Sequence, residues 1–440
     1  MNHHPPLEAA VTARWVRAIL VVFLTMGLGF GTWLSRLPSL RDDLGASTIQ
    51  MSVYGLCLAA GSLAGLVFAG PLIERFGPRR VMAPLIAVQV VALPGAAALM
   101  VSGMVPLGLV SLFAYGFCFS STDIAMNVSG ANAERAYGRS RLPLMHAGYS
   151  IGSVLSMVLG ATAEALRIPL VPHFIAVGVL IGVCALVALR LVPKDEAALR
   201  ASGEPSTLET TAAVPVVESP AGDELATITG SVPVISQPRV EDRRRPGAPG
   251  RTRAYSPWRD RRILLIGVIT LSVGLIEGAP ADWLPLALVD GRGVSNEFGA
   301  VMLGVFFVAI VLSRLLGSVL IGRFGRVPVL RASIAVGAVG VLVVSLVPGP
   351  VAMIVGTAAW GLGSGLCWPI AISAAADKPE TAVRDVAAVS AIGYTCMLLG
   401  PMAFGVIGEH IGLLQSFLLL PVFSAVALLL AGVARPPRER

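Results

Sequence analysis

Gly70-Pro71-Leu72-Ile73-Glu74-Arg75-Phe76-Gly77-Pro78-Arg79-Arg80 is a short charged turn set between two long apolar runs, 48–70 and 81–101. Gly70 allows two helices to approach closely and Gly77 allows a tight turn, while Arg79 and Arg80 hold the turn on one side of a membrane. Each flanking run is long enough to cross about 30 Å of hydrocarbon. Arg75-Phe76-Gly77 recurs as Arg323-Phe324-Gly325, so the turn belongs to a repeated unit.

Outward from this turn, twelve apolar runs can be marked: 15–34, 48–70, 81–101, 106–128, 143–163 and 172–192, then 263–286, 298–321, 328–347, 351–374, 385–408 and 412–433. Residues 193–262, between the two sets, are rich in Pro, Ser, Thr, Glu and Arg and nearly free of aromatics. Such a stretch buries too little apolar surface to offset its ordering entropy, and it is expected to be a disordered cytoplasmic linker. Composition agrees, with 55% of residues hydrophobic, 13% charged and a mean hydropathy of +0.79. A soluble domain carries roughly 25% charged residues. A soluble enzyme, a nucleic-acid-binding domain and a disulfide-rich secreted fold are therefore excluded. Cys57, Cys118, Cys184, Cys367 and Cys396 all fall inside apolar runs without metal-ligand spacing, and read as buried small hydrophobes. The expected fold is an all-α membrane protein of 12 transmembrane helices, in two pseudo-symmetric six-helix bundles at 15–192 and 263–433.

Charge placement tests that map. With the N-terminus inside, 28 of the 33 Lys and Arg lie in or beside cytoplasmic segments and four (Arg36, Arg41, Arg167, Arg292) in periplasmic ones, with Arg314 left inside a span. The bias survives removal of the linker, so both termini are expected in the cytoplasm, with the chain multi-pass in the inner membrane. The net charge of +7 is then a topology signal and not a nucleic-acid footprint. The halves match further at near-constant offsets: Trp33-Leu34 with Trp283-Leu284, Gly148-Tyr149 with Gly393-Tyr394, Gly160 with Gly405, and Glu164 with Glu409. Parallel six-helix repeats related by an axis along the membrane normal are the build of one transporter fold.

The turn at 70–80 resembles the signature between helices 2 and 3 of the major facilitator superfamily, with Glu74 where that family has Asp. The resemblance implies the fold of that family, transport by alternating access, and a monomer. It also implies that Gly70, Glu74, Arg75, Gly77, Arg79 and Arg80 form a cytoplasmic gating motif. There the acid faces a helix N-terminus of the other half, here near Val386. The matching position in the second half is Gly322, so a counterpart latch is expected to be weak or absent. Asp123-Ile124-Ala125-Met126-Asn127 is similar to an acid-x-x-x-Asn pattern of the fucose-permease-like branch, where the acid is linked to proton coupling. The stretches 142–152 and 277–285 and the pair Trp368-Pro369 look like the same branch, most like a largely uncharacterised bacterial inner-membrane subgroup. No proline follows Gly152 before Gly160, which speaks against the helix-5 signature of drug–proton antiporters.

An ionisable side chain inside a span costs at least ~2.5–3.5 kcal/mol, so each needs a partner, water or a role. Asp123 reads as a proton carrier or as a partner of Arg75. Glu277, deep in its span, reads as a cavity group or as the partner of Arg314, and Arg314 as a substrate ligand or the counter-ion of Glu277. Asp282 is either a cavity group or a solvated rim carboxylate. His146 could relay protons or fill an interface. Trp33 and Arg36 end the first span as anchors or as a substrate gate. Asn127, Tyr149, Trp283, Trp360, Trp368 and Tyr394 complete the candidate lining.

The expected function is secondary transport of a small polar solute, sugar-like or another metabolite, coupled to protons. The intramembrane acids motivate it, and no Gly-x-x-x-x-Gly-Lys phosphate loop occurs in the chain. Proton-driven export of a metabolite or drug-like compound is the runner-up, and a transporter-derived membrane sensor the alternative outside transport. The expected partners are solute, protons and lipid, without nucleic acid, cofactor or metal. A membrane-embedded enzyme is disfavoured, because only His146, His173 and His410 occur outside the N-terminal tail, far apart in sequence.

Overall fold

The computed structural model describes residues 9–137, 141–193, 255–378 and 381–436. The first half comprises α1 (Ala9–Ser35), α2 (Leu37–Leu44), α3 (Thr48–Phe76), α4 (Pro78–Val101), α5 (Val105–Tyr137), α6 (Leu142–Ala165) and α7 (Leu170–Leu189). The second comprises α8 (Arg261–Arg292), α9 (Asn296–Phe324), α10 (Arg326–Leu346), α11 (Pro350–Ser364), α12 (Cys367–Ala375), α13 (Ala382–Ile411), α14 (Leu413–Ser416) and α15 (Leu420–Leu430). Among the described residues, eleven helical stretches are long and apolar enough to cross a membrane. The 30-residue α13 stands where the remaining span, 385–408, is expected. The expected linker lies outside the described residues except at its two ends, residue 193 and residues 255–262.

The repeat is visible in backbone detail. Helices α3 and α9 each have 29 residues, and each opens on a serine N-cap: Ser47 accepts from the Gln50 amide and Ser295 from the Phe298 amide. Both end at a glycine of positive φ, +80° at Gly77 and +82° at Gly325, where a Cβ would be strained. The preceding arginine lies over its phenylalanine neighbour in both, 5.2 Å for Arg75 on Phe76 and 5.5 Å for Arg323 on Phe324. Equal lengths, caps and turns in two stretches 248 residues apart are the local signature of duplication.

The span expected at 351–374 is interrupted. Proline at 369 has no amide hydrogen and its ring crowds the carbonyl four residues back. That carbonyl belongs to Gly365, where α11 gives way to α12. Short α2, in the connection between the first two spans, is a further helix that span counting did not anticipate.

Packing divides the molecule by depth. At the end where α3 begins and α13 finishes, called here the Glu409 face, one core cluster draws on both halves. It runs from Trp33, Met51 and Tyr54 to Trp283, Phe306, Trp360 and Phe417. At the opposite end, the Glu74 face, the core is split. One cluster, including Trp15 and Phe23, belongs wholly to the first half, and another, including Ile263 and Val389, wholly to the second. The main contacts between halves are α6 with α9 and α3 with α13. The two bundles therefore form a V, joined at the Glu409 face and parted toward the Glu74 face.

Candidate functional site

Arg314 lies in the interior of the second half. It lies on α9 ten residues before Phe324, about 15 Å from that helix end at 1.5 Å per residue. Its Nη2 donates to Glu277 Oε1 of α8 at 2.7 Å, and its Nε donates to the Gly365 carbonyl at 2.9 Å. Gly365 is the carbonyl that Pro369 leaves without an i+4 donor, so the guanidinium replaces the missing amide. The Arg314 side chain is 1% exposed, against 25% for Glu277. Of the two readings open for this pair, mutual charge partners is the one the geometry realises.

A second proline break is closed in the same way. Pro280 in α8 removes the donor for the Ile276 carbonyl, and Trp360 Nε1 donates to that carbonyl at 2.8 Å. Trp360 is wholly buried, with its ring edge-on to Phe306 and Phe417. Two side chains thus stitch α8, α9 and the broken α11–α12 at points where prolines freed carbonyls. The signal was in the sequence, since each internal proline marks a carbonyl four residues earlier that needs a donor. It does not say which distant side chain supplies one.

At matching depth in the first half, 18 residues after its helix begins as Arg314 is in α9, α5 carries Asp123, with Asn127 one turn on. Asn127 Nδ2 donates to the Asp123 backbone carbonyl at 2.8 Å and lies 3.5 Å from Asp123 Oδ1. Both side chains are partly accessible, continuing the face begun by Phe119, which stacks on Phe30 at 5.5 Å. No cation pairs with Asp123 among the described residues, and Arg75, the partner weighed for it, lies over Phe76. Tyr149 is buried within electrostatic reach of Asp123. His146 is 2% exposed and edge-on to Phe23 at 4.9 Å, with Nδ1 unpartnered.

On α8, Leu271, Leu275, Gly278 and Asp282 form a stripe at helical spacing, and all four are partly accessible. Nothing lies within 4 Å of where a Cβ would stand on Gly278, so this stripe borders open space. Asp282 makes no hydrogen bond or ion pair among the described residues. The remaining candidates do structural work. Trp33 and Trp283 sit in the shared core at 4% and 2% exposure. Arg36 is buried against Glu164 (Nε to Oε1, 2.8 Å) and the Ile168 carbonyl (2.9 Å). Trp368 fills the space beside Gly274 and Gly393, leaving no room for a Cβ at either. The side chain of Tyr394 lies outside the described residues.

At the Glu74 face the signature turn is free. Glu74 makes no hydrogen bond or ion pair among the described residues, and nothing lies within 4 Å of a Cβ placed on Gly70. The close approach expected at Gly70 is not made in this arrangement, and neither is the contact between Glu74 and the start of α13. Arg79 and Arg80 fall in the first turn of α4, at this same face. Gly322 is likewise open, as expected for a position without an acid.

The Glu409 face holds what sequence reading missed. Glu409 Oε2, near the end of α13, accepts from the first two amides of α3, Thr48 at 2.8 Å and Ile49 at 3.3 Å. Arg41 pairs with Asp290, and Asn296 Nδ2 donates to Asp42 Oδ2 at 3.0 Å. All three links join one half to the other.

Repeated helical bundles, a charge pair in the interior of one of them and a gap opening to one side are the build of a membrane transporter. The chain matches the Major Facilitator Superfamily over residues 19–378 and 266–440, and it belongs to that family, one of transporters and not enzymes. It is 28% identical over 420 residues to an uncharacterised transporter of Sinorhizobium fredii, covering 95% of this chain and 98% of that one. An uncharacterised transporter of the same family from Yersinia pestis is 26% identical over 420 residues, with 95% and 94% covered. Among solved structures, the nucleoside transporter NupG aligns with a TM-score of 0.70 at 12% identity, covering 95% of this chain and 98% of its own. The transporter FucP in its outward conformation aligns at 0.54 with 14% identity, covering 96% and 99%. At such identities these two matches speak for the fold alone.

Proposed function

We propose that the protein is a proton-coupled transporter of a small polar solute, working by alternating access in the bacterial inner membrane with both termini in the cytoplasm. In that orientation the Glu74 face is cytoplasmic and the arrangement described is the inward-facing one. The observation that carries the reading is the charge balance between the halves. Arg314, the one Lys or Arg in mid-membrane, is already matched by Glu277, while Asp123 and Asp282 border the gap without a counter-charge among the described residues. An unpaired carboxylate in low dielectric is costly and is relieved by binding a proton or a positive group. Asp123 is the proton carrier in this reading, and Asp282 and Asn127 address the solute.

The same balance sets the solute's charge. An anion would meet two unmatched carboxylates and no free cation among the described residues of the gap, so a neutral, hydroxyl-rich solute or one bearing an amine is preferred. External pH would be recorded in lightly buffered, de-energised cells as neutral sugars, amino sugars and sugar acids are added in turn. A compound-specific alkalinisation that disappears in Asp123→Asn supports proton symport. Uphill accumulation that survives in Asp123→Asn would overturn the assignment of that residue.

A further inference from the structure

We propose that Glu409 is a conformational latch: its carboxylate at the N-terminus of α3 holds the two halves together in the inward-facing state and alternates with Glu74 docking at the N-terminus of α13. The proposal rests on the alternating-access reading above but on neither its solute nor its proton.

Helix termini supply the physics. The first four amides of a helix have no intrahelical acceptor, and the partial positive charge there favours a carboxylate. At α3 every one of these amides is accounted for. Thr48 and Ile49 donate to Glu409, Gln50 donates to the Ser47 hydroxyl, and the Ser47 amide donates to Gln50 Oε1 at 2.8 Å. Ser47 and Gln50 also close a reciprocal capping box. The capping box of α3 thus serves two of the four amides and leaves the other two to an acid from the opposite half.

The start of α13 is treated differently. Thr381, its N-cap residue, makes no capping hydrogen bond with its side chain, because its hydroxyl donates to Asp385 Oδ2 at 2.6 Å. Asp385 is fully buried and takes a second hydrogen bond from Tyr255 at 2.6 Å. The acid in this first turn is therefore satisfied by its own half, and no side chain caps the helix end among the described residues.

The two helices are matched. Helices α3 and α13 run antiparallel and pack across the halves, with Ser52 set closely against Gly405 near the Glu409 face. Glu74 is the third residue from the end of α3, and Glu409 is the third from the end of α13. Each acid thus stands at the face where the other helix begins. Contact of Glu409 with Thr48 needs that face shut, and contact of Glu74 with α13 needs the other shut. A rocking V cannot satisfy both together. The counterpart of the signature acid was sought in the second half's equivalent turn, at Gly322, whereas the geometry supplies it on the opposite face.

Charged groups around Glu409 come from several elements. Arg41, Asp42 and Asp43 lie on α2, and Asp290 and Arg292 end α8. Glu297 opens α9, and His410 adjoins Glu409, its Nδ1 2.8 Å from the Val406 carbonyl. Arg41 is matched by Asp290 and Asp42. The amides of α3 are accordingly the partners that Glu409 itself holds.

The test uses Ser52→Cys, 1% exposed at this position, in a chain whose five native cysteines are replaced. Labelling of intact cells with a membrane-impermeant maleimide reads opening of the Glu409 face without solute. Glu409→Ala is expected to raise the labelling rate about five-fold, and Glu409→Gln, which keeps an acceptor without charge, by less. Adding Glu74→Ala to Glu409→Ala should bring the rate back toward the parent, because the competing latch is removed as well. An unchanged rate in Glu409→Ala at normal yield would overturn the latch. If the alanine variant fails to reach the membrane, Glu409→Gln decides alone, and parental labelling in it would overturn the proposal. A double variant that labels as fast as Glu409→Ala would overturn the alternation.

Discussion

The two faces of the molecule use the same kinds of residue in opposite ways. At the Glu74 face, the polar contacts seen among the described residues run within halves. Asp377 binds Arg262 at 2.6 Å and Arg326 at 2.8 Å, and Lys378 reaches Asp260 at 3.3 Å, all in the second half. Glu134 accepts from the amides of Arg141 and Leu142, all in the first. At the Glu409 face, Glu409, Arg41 and Asn296 each bond across the halves. The apolar cores repeat the division, separate at one face and shared at the other. In the alternating-access reading proposed above, contacts that knit each bundle internally at the open face make it a rigid body, so that motion is confined to the joint. Sites that keep the bundles rigid and sites that set their angle should then respond differently to substitution.

The largest effect is expected in the interior of the second half. Arg314→Ala removes the partner of Glu277 and the donor to Gly365 together, leaving an unmatched charge and an unmatched carbonyl in the interior. Loss of one member of a buried pair costs about 3–5 kcal/mol. Trp360→Phe removes only the donor to Ile276 and should cost roughly 1–2 kcal/mol. Thermal unfolding of the purified protein in detergent measures both. An Arg314→Ala protein as stable as the parent would show that this pair does not hold the second bundle together.

Much of this contrast could not be read along the chain, for identifiable reasons. The spans were legible because an apolar run of about 20 residues has few other uses. The repeat was legible because α3 and α9 kept Arg-Phe-Gly at the same turn, and the structure adds matching caps and glycine φ values. The Glu277–Arg314 pair was within reach, since two unlike charges on adjacent spans have strong reason to meet. Glu409 was noticed only as the repeat partner of Glu164. The structure gives the two different work: Glu164 binds Arg36 and Ser39 of its own half, while Glu409 binds backbone amides of the other. Amides belong to every residue, so no residue pattern marks them as partners. Trp33, Trp283 and Trp360 share the type expected of a cavity lining, and only packing shows them in the common core.

A middle-sized effect is expected at Asp260, the N-cap of α8, whose side chain accepts from the Arg262 amide at 2.9 Å. Partial burial pushes its pKa up, but the Arg262 amide, Lys378 and the Ile263 amide outweigh that and hold it below the ordinary carboxylate value. A depressed folded-state pKa contributes stability that is present above the unfolded value and lost as pH falls through the folded one. Asp260→Ala should therefore cost about 1 kcal/mol near neutral pH, and the gap to the parent should narrow on acidification below the usual aspartate range. Because Asp260 acts within one half, Ser52→Cys labelling should stay at the parental rate. Faster labelling would break the division between contacts that stiffen a bundle and contacts that set the angle.

The smallest effect is expected at Glu74, the residue on which the fold was first read. It makes no hydrogen bond or ion pair among the described residues, so Glu74→Gln removes nothing from the arrangement described. Substitution of an exposed side chain away from special features changes stability by within about 0.5 kcal/mol. Glu409→Gln, the same change at the other end of the antiparallel pair, removes a charge that two helix amides hold. Thermal unfolding should therefore separate the two variants even though the side chains and the substitution are identical. Equal losses would mean that the Glu74 face is closed for a substantial part of the time. The arrangement described here would then be a minority state, with the signature acid docked on α13 in the majority.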